Sequence, residues 1–523
     1  MDPGRSPLWE LTTPGEVPSR AFCGNDFLNP ALSPMRTVPA QDKCGVAAIS
    51  VQGEGAAPYL YTGLRALQHR GQESAGIVTG SHGKLYVKKS MGLVHEIFDR
   101  DSLDALRGTV GIGHVRYSTR GTSTLQNAQP IVVPAHDGDI ALAQNGDTVN
   151  FSRLRRRLQE AGIEFTGNAD GEVMGNYLAM QYETSLSMEY AIKRLMSEIS
   201  GGYAIVLLHG NRFYAFRDPL GIRPLMLGAL PNGYMAASES VAIELMGGRP
   251  VRDVAPGEIV VVERPKSKDD GTPMMRPVQG ATSRETAYCM FEWVYFSRPD
   301  SEINGRLVYR VRHRIGEILG RDSPVSADLV CPVPDSSRPQ ALGLSQKSGI
   351  PYAEGLIKNR FVERTFILPD QKRREDEVSV KLHPIREVLE GKRVVLVDDS
   401  IVRGTTLRRI VSMVRGAGAT EVHVRVGCPP IVAPCYFGVD MKERRDLIAF
   451  QRTEQEIARA LEADSVGYLS LPGLVEAIGY PERSLCTGCI TGRYPVDVPQ
   501  EHRRLQRALT DFGGARSHVG AQA

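Results

Sequence analysis

The stretch Val394–Thr406, VVLVDDSIVRGTT, constrains this chain more than any other. Its first four residues are apolar and mostly β-branched, the short unbroken run of a strand buried in a parallel sheet. Asp398 and Asp399 stand where such a strand would emerge, and Ser400–Thr406 follows as a loop with one glycine and three hydroxyls. LRRIVSMVRGAGA then resumes helical spacing. In open α/β sheets, ligands sit at the carboxyl ends of the strands. A loop feeding a helix N-terminus presents unpaired N–H groups to a phosphate. Paired acids beside such a cradle suit a magnesium ion or sugar hydroxyls.

From Asp328 the strand–loop–helix pattern repeats. DLVCPVPDSSRPQALGLSQKSG, IPYAEGLIKNR (350–360), KRVVLVDDS and EVHVRVGCPP (421–430) each open on a strand-like run. Such alternation predicts an α/β domain with a mainly parallel sheet and helices on both faces. No GxxxxGK followed by Ser or Thr occurs, and Gly111-Ile112-Gly113 lacks the third glycine of a dinucleotide fingerprint. Against that background, Val394–Thr406 resembles the signature of phosphoribosyltransferases that use phosphoribosyl pyrophosphate (PRPP).

A chain of 523 residues is expected to hold two to four domains. A net charge of +3 argues against nucleic acid or an acidic membrane as the main partner. No apolar run is long enough for a transmembrane helix, and residues 1–43 lack a basic start followed by an apolar core. A cytoplasmic location is expected, where eight cysteines point to catalysis or metal rather than disulfides. Residues 1–43 carry no lasting periodicity and read as a disordered leader or propeptide that ends at Cys44.

Cys44 heads the alternating run CGVAAIS. YLYTGLRALQHRGQESAGIVTG follows, its first half helical through Leu60, Leu64 and Leu67. With GIGHVRYST, NAQPI, LAQNGD, NADGEV, GGYAIVLL, RDPLGIRPLMLG and ASES, this part resembles glutamine amidotransferase domains with an N-terminal cysteine nucleophile. The resemblance implies an αββα four-layer domain over residues 44–270, with Cys44 attacking glutamine and its α-amine, once exposed, as the base. It places Arg116 on the glutamine carboxylate and Asp170 on its ammonium, with Asn145 and Gly146 as oxyanion-hole donors. The chemistry suits these types: a thiolate is a strong nucleophile, and a guanidinium grips a carboxylate bidentately. An Asn-Gly pair also predicts a tight turn at 145–146. The chain departs from the family pattern at Gln144 and Asp147, where His and Asn are usual around Asn-Gly, and at Gly171.

Both halves in this order resemble the amidophosphoribosyltransferases, which open de novo purine synthesis. The implied second domain spans 271–475, followed by a C-terminal segment, 476–523. The resemblance places Mg²⁺ on Ser337, Asp398 and Asp399, and PRPP on Ser400, Gly404, Thr405 and Thr406. Lys381 and Arg374 match a loop closing over PRPP. Glu363, Glu377 and Ser379 depart from the family, the first two standing in place of glycine and the third in place of arginine. They motivate the alternative of a weakened paralogue that senses PRPP or nucleotides. Cys486-Thr-Gly-Cys489 alone fits redox, zinc or iron–sulfur chemistry. The resemblance adds Cys289 and Cys435 and implies a [4Fe–4S] cluster, with zinc the chemical runner-up. It also implies feedback by purine nucleotides and a homotetramer.

Overall fold

The computed structural model describes residues 44–117, 123–264, 272–281, 283, 285–359, 382–439, 441 and 443–499. All of these lie in one compact unit. Arg374, Lys381, Glu363, Glu377 and Ser379 lie outside the described residues, as do the leader and the last residues of the chain.

Strand Gly45–Val51 occupies the middle of a seven-stranded antiparallel sheet, between Gly233–Ala237 and Val110–Arg116. Its alternation divides it between two cores, because successive side chains of a strand point to opposite faces. Ala47, Ile49 and Val51 pack under helices Ala56–Ala66 and Ser240–Leu245. Val46 and Ala48 face a second, six-stranded antiparallel sheet through Ala141, Ala143, Ala204 and Val206. Helices Phe151–Glu160, Asp170–Ser185 and Met188–Glu198 cover the far side of that second sheet. The order is helix, sheet, sheet, helix, as expected.

The second half is an α/β domain. Strands Leu329–Pro332, Arg393–Asp398, Glu421–Val426 and Ser465–Tyr468 form a four-stranded parallel sheet in that order. Val394–Val397 are fully buried in it. Helices Val308–Asp322 and Arg338–Ser348 cross closely at two glycines. A Cβ on Gly316 would meet the Gln340 carbonyl at 1.8 Å, and one on Gly343 the His313 carbonyl at 2.0 Å. The run at 350–360 departs from the expectation of a sheet strand. It contributes one bridge, Val330 to Tyr352, before Leu356–Lys358 pairs antiparallel with Leu382–Pro384.

The expected boundary at 270/271 also moves. Met274–Gln279 pairs in register with Glu258–Glu263 as the edge strand of the six-stranded sheet, so the first domain extends past Gln279. No described helix is long and apolar enough to cross a membrane.

Candidate functional sites

Cys44 sits just ahead of the central strand, half-buried, with φ +98. Its N–H donates to the Arg70 carbonyl at 3.0 Å, and its Sγ lies 3.9 Å from the Tyr117 carbonyl. Arg116 ends the neighbouring strand and is buried. Gly71 permits that approach, since a Cβ there would come within 2.5 Å of the Arg116 nitrogen.

Asn145 and Gly146 lie within the nine-residue strand Ile140–Thr148, paired with Ala204 and Tyr203, and form no tight turn. The local turn preference of Asn-Gly yields to ladder pairing with the neighbouring strand Gly201–His209. Gly146 takes φ +118, and a Cβ would strike the Gly202 carbonyl at 2.0 Å. Asn145 is fully buried, and both of its carboxamide atoms lack a partner among the described residues. An amide left unpaired in an interior is costly unless a ligand completes it.

Asp170 is the first residue of helix Asp170–Ser185. Its Oδ1 accepts from Gln144 Nε2 at 2.6 Å, and its Oδ2 from the Thr148 N–H at 3.3 Å. Glu172, next to the departure at Gly171, ties down the preceding loop by accepting from the N–H groups of Thr166 and Gly167. His114 is buried; desolvation lowers its pKa to about 3, so the neutral ring donates Nε2–H to the Gln144 carbonyl at 3.0 Å.

Behind Cys44 lies an ion network that no sequence motif announces. Arg70 is fully buried between Glu239 and Glu292, bonding Glu292 at 2.6 Å and Ser297 Oγ at 2.9 Å. Arg223 reaches Glu292 at 3.2 Å and the Phe437 carbonyl at 3.1 Å, which ties the two halves of the chain together. Burial would raise the Glu292 carboxyl, yet the Arg70 and Arg223 guanidiniums hold it below the usual carboxylate range. Glu292→Ala removes the buried carboxylate that the Arg70 and Arg223 guanidiniums share. We expect a loss of about 3–5 kcal/mol at neutral pH, read from urea unfolding. Because the folded pKa is depressed, the parent's advantage shrinks as pH falls below the ordinary carboxylate range.

In the second half, Asp398 ends an inner strand of the parallel sheet and Asp399 follows it, almost fully buried. Burial raises both carboxyls above their ordinary range, and for Asp398 the Asp399 charge adds to the effect. Ser400 Oγ donates to Asp399 at 2.7 Å, and Ser336 Oγ donates to its other oxygen. Ser337, expected beside the acids, turns its hydroxyl back to the Val333 carbonyl; Ser336 takes that place. Gly404 caps helix Thr405–Gly416 at φ +79, where a Cβ would meet Ile448 at 2.4 Å. Thr405 and Thr406 open that helix, so its first turn offers two hydroxyls and unpaired N–H groups at the end of the loop that begins with the acids.

Cys289 and Cys486 are partners in a short parallel ladder, and the Cys489 carbonyl accepts from the N–H groups of Val432 and Ala433. Cys289, Cys435, Cys486 and Cys489 line one cavity with Arg223, Phe437 and Tyr494. Burial pushes the Cys486 thiol up to about 12 and the Cys289 and Cys489 thiols well above their ordinary value. Among the described residues, no group of three or more His, Cys, Asp or Glu is close enough to hold a single metal ion.

Residues 114–244 match the glutamine amidotransferase domain family and 326–430 the phosphoribosyl transferase domain family. An amidophosphoribosyltransferase of Methanothermobacter thermautotrophicus is 49% identical over 463 residues, 88% of this chain and 96% of the relative. One from Synechocystis sp. is 44% identical over 90% of this chain and 94% of its own length. The solved glutamine PRPP amidotransferase from B. subtilis, in complex with ADP and GMP, superposes with a TM-score of 0.81. It shares 41% identity, covering 88% of this chain and 98% of that one. The glutaminase-like sheets, the parallel sheet behind the acid loop and this full-length similarity lead to one assignment: the chain belongs to the amidophosphoribosyltransferase family.

Proposed function

We propose that Cys44 and the Asp398-Asp399 loop carry the two half-reactions of this chain. The activity is that of a glutamine-dependent amidophosphoribosyltransferase: ammonia from glutamine displaces pyrophosphate from PRPP, giving 5-phosphoribosylamine in the first committed step of purine synthesis. The observation that carries the residue roles is Asn145, a buried, unpartnered carboxamide in the strand register that also holds Gly146.

The Cys44 sulfur attacks the side-chain amide carbon of glutamine, with Asn145 and Gly146 donating to the developing oxyanion. Ammonia leaves with a proton delivered by the Cys44 α-amine, and water then hydrolyses the thioester to glutamate. Arg116 and Asp170 hold the substrate carboxylate and ammonium. Removal of residues 1–43 frees the α-amine. The φ of +98 at Cys44 supports it, because a non-glycine residue holds that angle at a cost of about 1–3 kcal/mol, and cleavage of the preceding peptide abolishes the constraint.

Ammonia then attacks carbon 1 of PRPP as pyrophosphate departs. Ser400, Gly404, Thr405 and Thr406 hold the 5-phosphate, and Arg374 and Lys381 are assigned to the pyrophosphate. Two adjacent carboxyls, both driven toward protonation by burial and, at Asp398, by the neighbouring charge, fit a divalent cation. Asp398 and Asp399 would hold Mg²⁺, with Ser336 rather than Ser337 bonded to Asp399, and the ion would supply charge neutralisation at the pyrophosphate.

The four thiols fit a metal group because they line one cavity, and burial makes free thiolates of Cys289, Cys486 and Cys489 unfavourable without a compensating cation. We assign a [4Fe–4S] cluster to Cys289, Cys435, Cys486 and Cys489, with zinc on the same four thiolates as the chemical runner-up. The group is structural or oxygen-sensing, since the transfer moves no electrons. Purine nucleotides as feedback ligands, a homotetramer and a cytoplasmic location complete the proposal.

The test measures glutamate and pyrophosphate release with glutamine, PRPP and Mg²⁺ present. Equal release of the two supports the roles, and no release above a Cys44→Ala control overturns them in favour of a PRPP or nucleotide sensor. Protein purified without air is expected to be brown, to bleach in air and to have an intact mass starting at Cys44. A colourless full-length chain carrying zinc contradicts both processing and cluster.

A further inference from the structure

Gly146 meets a segment from far along the chain. A Cβ built on Gly438 would lie 3.1 Å from the Gly146 Cα and 2.4 Å from Arg223 Nη2, and Gly438 takes φ +121. On Gly146 itself, a Cβ would lie 3.1 Å from Arg223 Cγ as well as striking the Gly202 carbonyl. Gly202 touches the same segment, with Phe437 Cβ 3.2 Å from the place its own Cβ would take. Two glycines therefore close on one arginine, and neither has room for a side chain.

Arg223 is not free to swing aside. Its Nε donates to the Phe437 carbonyl at 3.1 Å, its Nη1 bonds Glu292 at 3.2 Å, and the side chain is fully buried. Glu292 is held in turn by Arg70, whose carbonyl receives the Cys44 N–H. The segment is also held from its own side. The Phe437 N–H donates to Cys435 Sγ at 3.4 Å, and its ring packs edge-on against Tyr494 with centroids 6.0 Å apart. A close-packed interior passes a displacement on to its neighbours instead of absorbing it. Phe437 and Gly438 lie beyond both family-matched stretches, 114–244 and 326–430, so neither domain pattern accounts for the contact.

We propose that Gly438 is a positioning residue for glutamine hydrolysis: through Arg223 and its own contact with the Gly146 Cα, it sets where the Gly146 N–H points. The inference rests on the reading of Asn145 and Gly146 as oxyanion donors. Gly438 touches no substrate. Its effect comes from the tolerance of the chemistry, since a donor displaced by about 1 Å can cost about 10²-fold in rate. The backbone that completes the oxyanion site is thus braced from the second half of the chain, and glutamine is hydrolysed at full rate only while that brace is in place.

The experiment uses Gly438→Ala in the full chain, which sets one methyl group against Arg223 and Gly146. Turnover is measured with glutamine and with ammonium salts, and the rate at which iodoacetamide alkylates Cys44 is read by peptide mass. Alkylation forms the sulfur–carbon bond as iodide leaves and develops no oxyanion, so it reports on the thiol alone. The expected result is a fall of about 10- to 100-fold in glutamine kcat. Glutamine KM stays within about threefold, and ammonium-driven pyrophosphate release and Cys44 alkylation stay within about twofold. Equal losses with both nitrogen sources mark a structural role and overturn the proposal. So does an unchanged kcat, a loss carried by KM instead of kcat, or alkylation slowed as much as kcat, which would mean that the nucleophile has moved. Should Gly438→Ala fail to fold, Arg223→Lys is read by the same measurements. It keeps the buried charge, drops the Nε bond to the Phe437 carbonyl, and is expected to lower glutamine kcat by about 3- to 10-fold. Asn145→Ala separates the two levels. If it leaves glutamine kcat intact, the oxyanion reading fails and this inference with it. If it lowers kcat while Gly438→Ala does not, this inference alone fails.

Discussion

Replacing Cys44 by alanine abolishes glutamine-dependent pyrophosphate release, by at least about 10³-fold, while release driven by ammonium salts stays within about twofold of the parent. The asymmetry follows from where the two chemistries sit. Cys44 heads a strand of the antiparallel glutaminase sheets, whereas the acid loop closes a separate parallel sheet. Alanine removes the nucleophile and changes little else, because the side chain is half-buried at the mouth of the strand rather than part of its core. Glutamine then binds without reacting, and external ammonia still reaches PRPP. Steady-state assays with each nitrogen source read the difference directly. Equal loss with both sources would place Cys44 in the fold rather than the chemistry, and retained glutamine turnover would remove it from the mechanism.

The two strands that organise this molecule were legible because their signals are local. Val394–Val397 is uniformly buried and reads as an unbroken apolar run, while Val46 to Val51 alternates between two cores and reads as period two. What escaped was decided at long range. Arg70 finds Glu292 across 222 residues, and nothing near either residue in sequence predicts that meeting. Asn145-Gly146 forms no turn because local propensity cannot register the distant strand Gly201–His209 that holds it in a ladder. Ser336 and Ser337 are adjacent, so the pattern PDSS could not say which hydroxyl faces the acids; the backbone entering helix Arg338–Ser348 decides it. Gln144 was visible only as a departure, and its bond to Asp170 gives that departure a meaning. Likewise, Cys486 and Cys489 were visible as a spaced pair, but only the Tyr288–Cys289 ladder brings a third thiol beside them.

Asp398→Asn is expected to eliminate synthesis from either nitrogen source while making the metal-free protein more stable. In the folded protein both carboxyls are raised above their ordinary range, Asp398 through burial and then the charge of Asp399, Asp399 through burial. A carboxyl with a raised folded pKa contributes its stability below the ordinary carboxylate pKa and loses it as pH climbs through the folded value. At pH 7–8 the metal-free pair therefore sits on the unfavourable side of that window, with one charge too many at the end of the strand. Asparagine keeps the shape, removes one charge and can still accept from the Asp399 N–H, which now bonds the Asp398 carboxylate at 2.9 Å. A gain of about 2–6 °C in melting temperature is expected without metal at pH 7.5, shrinking as pH is lowered toward 4. Millimolar Mg²⁺ reverses the ranking, because a ligand that binds only the native parent stabilises it by mass action while the variant has lost half of the site. Turnover moves the other way, falling by about 10²- to 10³-fold with glutamine and with ammonium alike, since charge neutralisation at the departing pyrophosphate is shared by both routes. Melting curves with and without Mg²⁺ at several pH values, set beside both turnover assays, check all of this. A variant less stable than the parent without metal would show that the pair is held together by its hydrogen bonds and not strained by its charge, and a variant active with ammonium would move the metal site elsewhere.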